Sequence, residues 1–233
     1  GRAQAVVFLF LAYIAVALFS VFSNALQLGL IAEAVAGGEI TDARVQMNDT
    51  RQAAVAFTHL VVYVALAVAF LLWLYRASKN LPALGNEKSR IEYKPGLAVG
   101  SFFIPFVNLF MPYKAVREVW EKSDPAIRTP DDIMFTPTAS APLVLGWWLS
   151  WIAMNVFGRV TGRFQQDAAT PETLRWVTWV EIAGDLVGVL SAVLAVLVVR
   201  GIDRRQEERA RNVVYVPRTP PPPPLFTPPP PQA

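Results

Sequence analysis

The chain reads as an all-α integral membrane protein: a bundle of four transmembrane helices with an interfacial or re-entrant helical pair between the second and third spans. Three observations predict it. Two runs, Ala5–Ala32 and Ala53–Tyr75, contain no Asp, Glu, Lys or Arg and exceed the roughly 20 apolar residues that cross hydrocarbon. Composition agrees, since 54% of the 233 residues are hydrophobic and 17% charged, with a mean hydropathy of +0.37, more apolar than a soluble domain. The third is the stretch Pro95–Trp120, PGLAVGSFFIPFVNLFMPYKAVREVW. It is too short and too broken by Pro105 and Pro112 to span a bilayer, and too apolar for water, so it should lie in the interface or dip in and return.

The spans fall at about 5–32, 53–75, 141–160 and 176–199. The first is twice the length of a signal-peptide h-region and lacks its cleavage site, so it should stay in the mature protein. It carries Ser20, Asn24 and Gln27 at helical spacing, on a face that should look into the bundle. The connection 33–52 leads to the second span, with His59 in its first half and Trp73 and Tyr75 at its far interface. Next comes the broken stretch, with the interfacial or re-entrant element over 95–122. Gly96 and Gly100, just after Pro95, permit close backbone approach, Pro105 and Pro112 fix bends, and Asn108 is suited to bond backbone groups that the prolines free. Its tail puts Tyr113, Val116 and Trp120 on one side, while Lys114, Arg117, Glu118 and Glu121 face water: a membrane-surface helix. Residues 123–142, with Asp124-Pro125, Thr129-Pro130 and Thr136-Pro137, read as irregular chain. The third span opens with Trp147, Trp148 and Trp151, suited to its starting interface. A turn at 167–170 and Pro171 lead into the fourth span, interrupted by Glu181 and Asp185. The membrane domain is thus 1–211, followed by a proline-rich tail over 212–233, with ten prolines, expected to be polyproline II or disordered.

Lys and Arg number 1, 9 and 6 in the N-terminus, middle region and C-terminal tail, against 2 and 3 in the alternate connections. The positive-inside rule then puts both termini and the broken stretch in the cytoplasm. A pI near 9.3 raises nucleic acid as a partner, but the basic residues flank spans rather than forming one soluble face, so no nucleic acid is expected. No cysteine is present, which excludes disulfides and thiolate chemistry. His59 is the single histidine, so neither a metal site nor a cofactor is expected.

The pieces WLYRASKNLPALG (73–85), KPGLAVGSFFIPFVNLFMPYKAVREVW (94–120) and LGWWLSWIAMNVFGR (145–159) resemble the bacterial domain-of-unknown-function family 4328, a likeness running to about Gln206. The resemblance implies a multi-pass membrane protein with four spans, without an established activity or catalytic residues to carry over.

Asn155, Gly158, Arg159, Gly162 and Arg163 share one helical face, and Glu181, Gly184, Asp185 and Gly188 another. Both combine GxxxG spacing with ionisable groups, so the faces should meet, with an Arg159–Glu181 ion pair as the specific contact. With Asn24, Gln27 and His59 they should form an intramembrane polar cluster open to the outer side: a binding site for an ion or small polar ligand, or interhelical glue. No hydrolase elbow, P-loop, zinc-protease helix or dinucleotide fingerprint is present, and no nucleophile–base pair for lipid chemistry is visible, so no enzyme is expected. The sequence therefore points to a non-enzymatic scaffold or accessory subunit of a bacterial inner-membrane complex, with the lipid bilayer and a membrane-protein partner or second copy as its contacts. The rival is a small transporter or channel-like protein working through the polar cluster.

Overall fold

A computed structural model describes residues 1–86, 90–126, 141–165 and 170–212. Its α-helices are α1 (Arg2–Val35), α2 (Asp42–Asn80), α3 (Pro95–Gly100), α4 (Met111–Lys122), α5 (Pro142–Phe164) and α6 (Pro171–Asn212), with 3₁₀ turns at Leu81–Leu84 and Val107–Leu109 and no strand among the described residues. The proline tail from 213 onward, most of the irregular chain (127–140) and the turn at 166–169 lie outside these residues. Proline stands in the first turn of α3, α4 and α5, where its missing N–H costs nothing. Gly85 closes the first 3₁₀ turn at φ 84°, a left-handed cap that a side chain would disfavour.

α1, α2, α5 and α6 are each long and apolar enough to cross a membrane. α1 packs on α2 and α6, and α5 on α6. Their outer faces carry large exposed apolar residues, including Phe8, Phe19 and Phe22 on α1, Leu60, Val64 and Leu72 on α2, and Leu186, Leu190 and Leu197 on α6. A soluble monomer rarely exposes so continuous an apolar belt, whereas a bilayer solvates it. Inside, Val6, Phe10, Tyr13, Leu74, Trp147, Val198 and Val199 belong to one core.

Two helices are longer than their expected spans. α2 begins at Asp42, so 42–52, read as connecting chain, is a polar extension of the helix. α6 runs unbroken from Pro171 to Asn212.

Between α2 and α5 the chain goes in and returns. α3 packs against α2, and Phe102 just beyond it reaches Phe70, with ring centroids 6.1 Å apart. Phe70 lies 11 residues before Leu81, so the hairpin reaches about 16 Å, three helical turns, along α2 from its end. The tip, with Phe103, Phe106 and Phe110 exposed, turns through Phe106 at φ 62°, a backbone that a β-carbon disfavours. α4 brings the chain back.

Several expectations for this hairpin change. Trp147 and Trp148 are buried (3% and 4% exposed): Trp147 packs on Phe70 of α2 (5.6 Å), Trp148 meets Phe102 of the hairpin edge to face (6.3 Å), and the Trp148 indole N–H donates to the Leu109 carbonyl at 3.2 Å. That bond, not one from Asn108, satisfies a hairpin carbonyl; the Asn108 side chain makes no hydrogen bond among the described residues. No other atom comes within 4 Å of a β-carbon built on Gly96 or Gly100, so neither serves a close approach. Glu118 is buried rather than solvated, and accepts the backbone N–H groups of Glu92 (2.7 Å) and Tyr93 (2.9 Å) beside an ion pair with Lys122 (2.5 Å).

The C-terminal third of α6 holds α4 in place. Trp120 lies over Gly201, where a β-carbon would come within 2.5 Å of its ring, and the Arg205 guanidinium covers the same indole at 4.3 Å while pairing with Asp124 at 3.0 Å. Gln206 donates to the Ala77 carbonyl (2.9 Å) and the Ser123 hydroxyl (3.1 Å), and Arg209 to the Lys122 carbonyl. α4 is thus seated on the bundle end.

Candidate functional site

In the other half of the bundle the helices part around a cavity of about 590 Å³. Its polar walls come from all four spans: Asn24 and Gln27 from α1, Gln52 and His59 from α2, Asn155 and Arg159 from α5, Glu181 and Asp185 from α6. The seven cluster residues read from the sequence therefore line one space. The glycine faces meet as well, but do different work from close backbone packing. Nothing lies within 4 Å of a β-carbon at Gly158 or Gly162, which border the cavity. Gly184 receives Phe157 (3.1 Å), and Gly188 makes room for the Tyr13 hydroxyl, 2.6 Å from where its β-carbon would stand.

The outer rim is an amide network. Gln52 Nε2 donates to Asn24 Oδ1 (2.9 Å) and Gln27 Oε1 (2.8 Å), while Ser23 donates to Gln52 Oε1 (3.0 Å). Gln27 Nε2 reaches across to Thr178 Oγ1 at 2.9 Å, and Asn48 Nδ2 donates back to Gln27 Oε1 at 3.2 Å. Arg51 closes the ring on Ser23 Oγ (3.0 Å) and Asn48 Oδ1 (2.6 Å). Asn24 and Gln27 thus serve as interhelical glue between α1, α2 and α6.

The inner residues do not. Arg159 and Glu181 line the cavity without pairing, and no ion pair joins any of its charged side chains among the described residues. Counting from the turn fixes depth along a helix, but the ungapped packing that an ion pair needs is absent where Gly158 and Gly162 border open space. The Asn155 amide turns back to the Trp151 carbonyl in its own helix (2.7 Å). Asp185 Oδ2 is buried and makes no hydrogen bond, with the Ser20 hydroxyl as its neighbouring donor group. The His59 ring rests on Tyr13, centroids 4.9 Å apart.

The residues missed from the sequence are Tyr13, Ser23, Asn48, Arg51, Gln52 and Thr178. Asn48, Gln52, Val55 and His59 follow one another at spacings of four, three and four, a continuous helical face that could have extended α2 outward. Tyr13, a lone phenol in an apolar run, gives no such signal.

Four apolar helices with their lipid-solvated belt, a hairpin that dips in and returns, and a polar cavity between the spans define a polytopic α-helical membrane protein. The model of the domain of unknown function DUF4328 matches residues 36–204, and the chain belongs to that family. No curated protein and no solved structure matches it.

Proposed function

We infer that the protein binds a small ligand bearing a cation or strong hydrogen-bond donors in the cavity between its spans, and moves or senses it there. The observation that carries this reading is the lack of internal ion pairing: Glu181, Asp185 and Arg159 line one cavity without an ion pair, and the buried Asp185 Oδ2 makes no hydrogen bond. Ionisable groups kept within a membrane protein at such cost mark ligand paths more often than lipid-facing surface. Interhelical glue accounts for the rim amides but not for these groups. The activity is non-enzymatic in this reading, with the bilayer as the protein's solvent, the bacterial inner membrane as its location, and both termini and the hairpin on the cytoplasmic side.

The test is uptake of labelled tetramethylammonium into liposomes holding the full chain, together with its binding to the chain in nanodiscs. Glu181→Gln and Asp185→Asn should each reduce both signals. Wild-type chain that neither binds nor passes the cation refutes the reading.

A second reading, a scaffold or accessory subunit of a membrane complex, draws support from the exposed hairpin tip with Phe103, Phe106 and Phe110. Co-purification of a stoichiometric membrane partner that is lost on replacing these three by Ser would favour it.

A further inference from the structure

We propose that the polar cavity and a second, apolar cavity beyond it form one bipartite site for an amphiphilic organic cation: an ammonium headgroup carried on an aromatic or branched apolar body. This rests on the reading of the polar cavity as a ligand site and specifies the chemistry of its occupant. The second cavity, about 280 Å³, has no charged residue in its wall. Phe70 is its aromatic centre, with Trp147 at 5.6 Å and Phe102 at 6.1 Å between ring centroids.

Tyr13, Tyr63 and Met154 belong to the walls of both cavities. The partition between them is therefore a layer of side chains, not backbone. Its hydrogen bond is weak, the Tyr13 hydroxyl donating to the Met154 sulfur at 3.3 Å, a poor acceptor. Gly188 leaves the Tyr13 hydroxyl its space. A rotation of Tyr13 about its side-chain bonds would join the two spaces.

Charge decides which end of a ligand goes where. The carboxylates Glu181 and Asp185 lie on the polar side, with Asp185 three residues, less than one helical turn, before Gly188. The one cation in that wall, Arg159, is exposed. An ammonium beside Asp185 gains the missing countercharge and shares its space with the Tyr13 and Tyr63 rings, aromatic groups that attract cations. Its apolar body then fills the aromatic chamber. A polar cavity of this volume lies within the range of small-molecule sites, and convergent polar groups beside aromatic walls are their usual make-up.

The test compares tetramethylammonium, which has the headgroup alone, with benzyltrimethylammonium, which adds the body. Binding is measured on the full chain in lipid nanodiscs, with protein-free discs subtracting partition into lipid. The benzyl compound should bind about tenfold tighter or more, the gain from burying its ring. Ala67 and Ala192 line the apolar chamber from α2 and α6, and Ala67→Phe, which fills it, should abolish that preference while leaving tetramethylammonium within about twofold. Ala192→Leu fills the chamber from α6 and gives the same readout if Ala67→Phe does not fold. Asp185→Asn should weaken both ligands. Equal affinities for the two cations, or a benzyl preference that both filling variants leave intact, would overturn the bipartite site while the polar site stands. No binding of either cation would remove both.

Discussion

Glu118→Gln is the sharpest probe of how the hairpin is held. The native carboxylate uses both oxygens: Oε1 accepts the Glu92 N–H (2.7 Å) and pairs with Lys122 (2.5 Å), and Oε2 accepts the Tyr93 N–H (2.9 Å). Glutamine has the same shape but only one acceptor oxygen. If that oxygen stays with Glu92 and Lys122, the new amide NH₂ faces the Tyr93 N–H, donor against donor. The loss is one charge-assisted hydrogen bond plus the desolvation penalty of a buried, unsatisfied N–H, about 2–4 kcal/mol together. Glu118 is 8% exposed, so water does not readily replace the carboxylate. Because each 1.4 kcal/mol is tenfold, local opening of this junction should become more frequent by about one and a half to three orders of magnitude. Hydrogen exchange at the Glu92 and Tyr93 amides, followed by mass spectrometry in nanodiscs, reads this directly, while amides in the middle of α1 serve as the unaffected reference. Lys122→Met separates the ion pair from the backbone bonds and should have the smaller effect. Exchange at 92–93 within about threefold of wild type in Glu118→Gln would refute the view that this carboxylate anchors the hairpin base.

Other perturbations follow from the same contacts. Gly188→Ala places a β-carbon 2.6 Å from the Tyr13 hydroxyl and should cost about 1–3 kcal/mol by overpacking, despite alanine's better helix propensity; in a Tyr13→Phe background most of that cost should vanish, measured as coupling in thermal unfolding. Gln52→Leu removes bonds to Ser23, Asn24 and Gln27 and should lower stability by about 2–3 kcal/mol, whereas Gln52→Glu should keep the Ser23 bond and lose the two donated ones. Burial, reinforced by the nearby Glu92 and Glu118 carboxylates, pushes the Tyr93 phenol up to about 12. The unfolded chain then ionises first, near pH 10, so this residue's stabilisation is intact below about pH 10 and is lost as pH rises through its folded value; Tyr93→Phe should flatten that part of an alkaline unfolding profile.

The membrane class and the number of spans were legible because charge-free runs of this length have no alternative in water, and the break in Pro95–Trp120 because two prolines forbid a straight helix. What the sequence hid depended on tertiary partners. Glu118 sits at a position of α4 that patterning gives to solvent, and only the backbone of Glu92 and Tyr93, 25 residues away or more, makes it a buried anchor. Residues 42–52 are polar, so hydropathy is silent about a helix there, although Gln52 proves central to the rim. For the cavity, helical spacing brought Asn155 and Arg159 to one face and Glu181 and Asp185 to another, yet could not say whether the faces close. Gly188 looked like a site for backbone contact; its occupant is the hydroxyl of Tyr13, 175 residues earlier.

α6 is one continuous rod of 42 residues, about 63 Å at 1.5 Å per residue. Its first half supplies Glu181, Asp185 and Gly188 to the cavity, and its last third supplies Gly201, Arg205, Gln206 and Arg209 to the seat of α4. With no proline or break between Asp185 and Arg205, the two ends form a lever with one set of degrees of freedom, about 30 Å between its working points. A tilt or turn of that rod as a rigid body would displace the cavity carboxylates and the seat of α4 together.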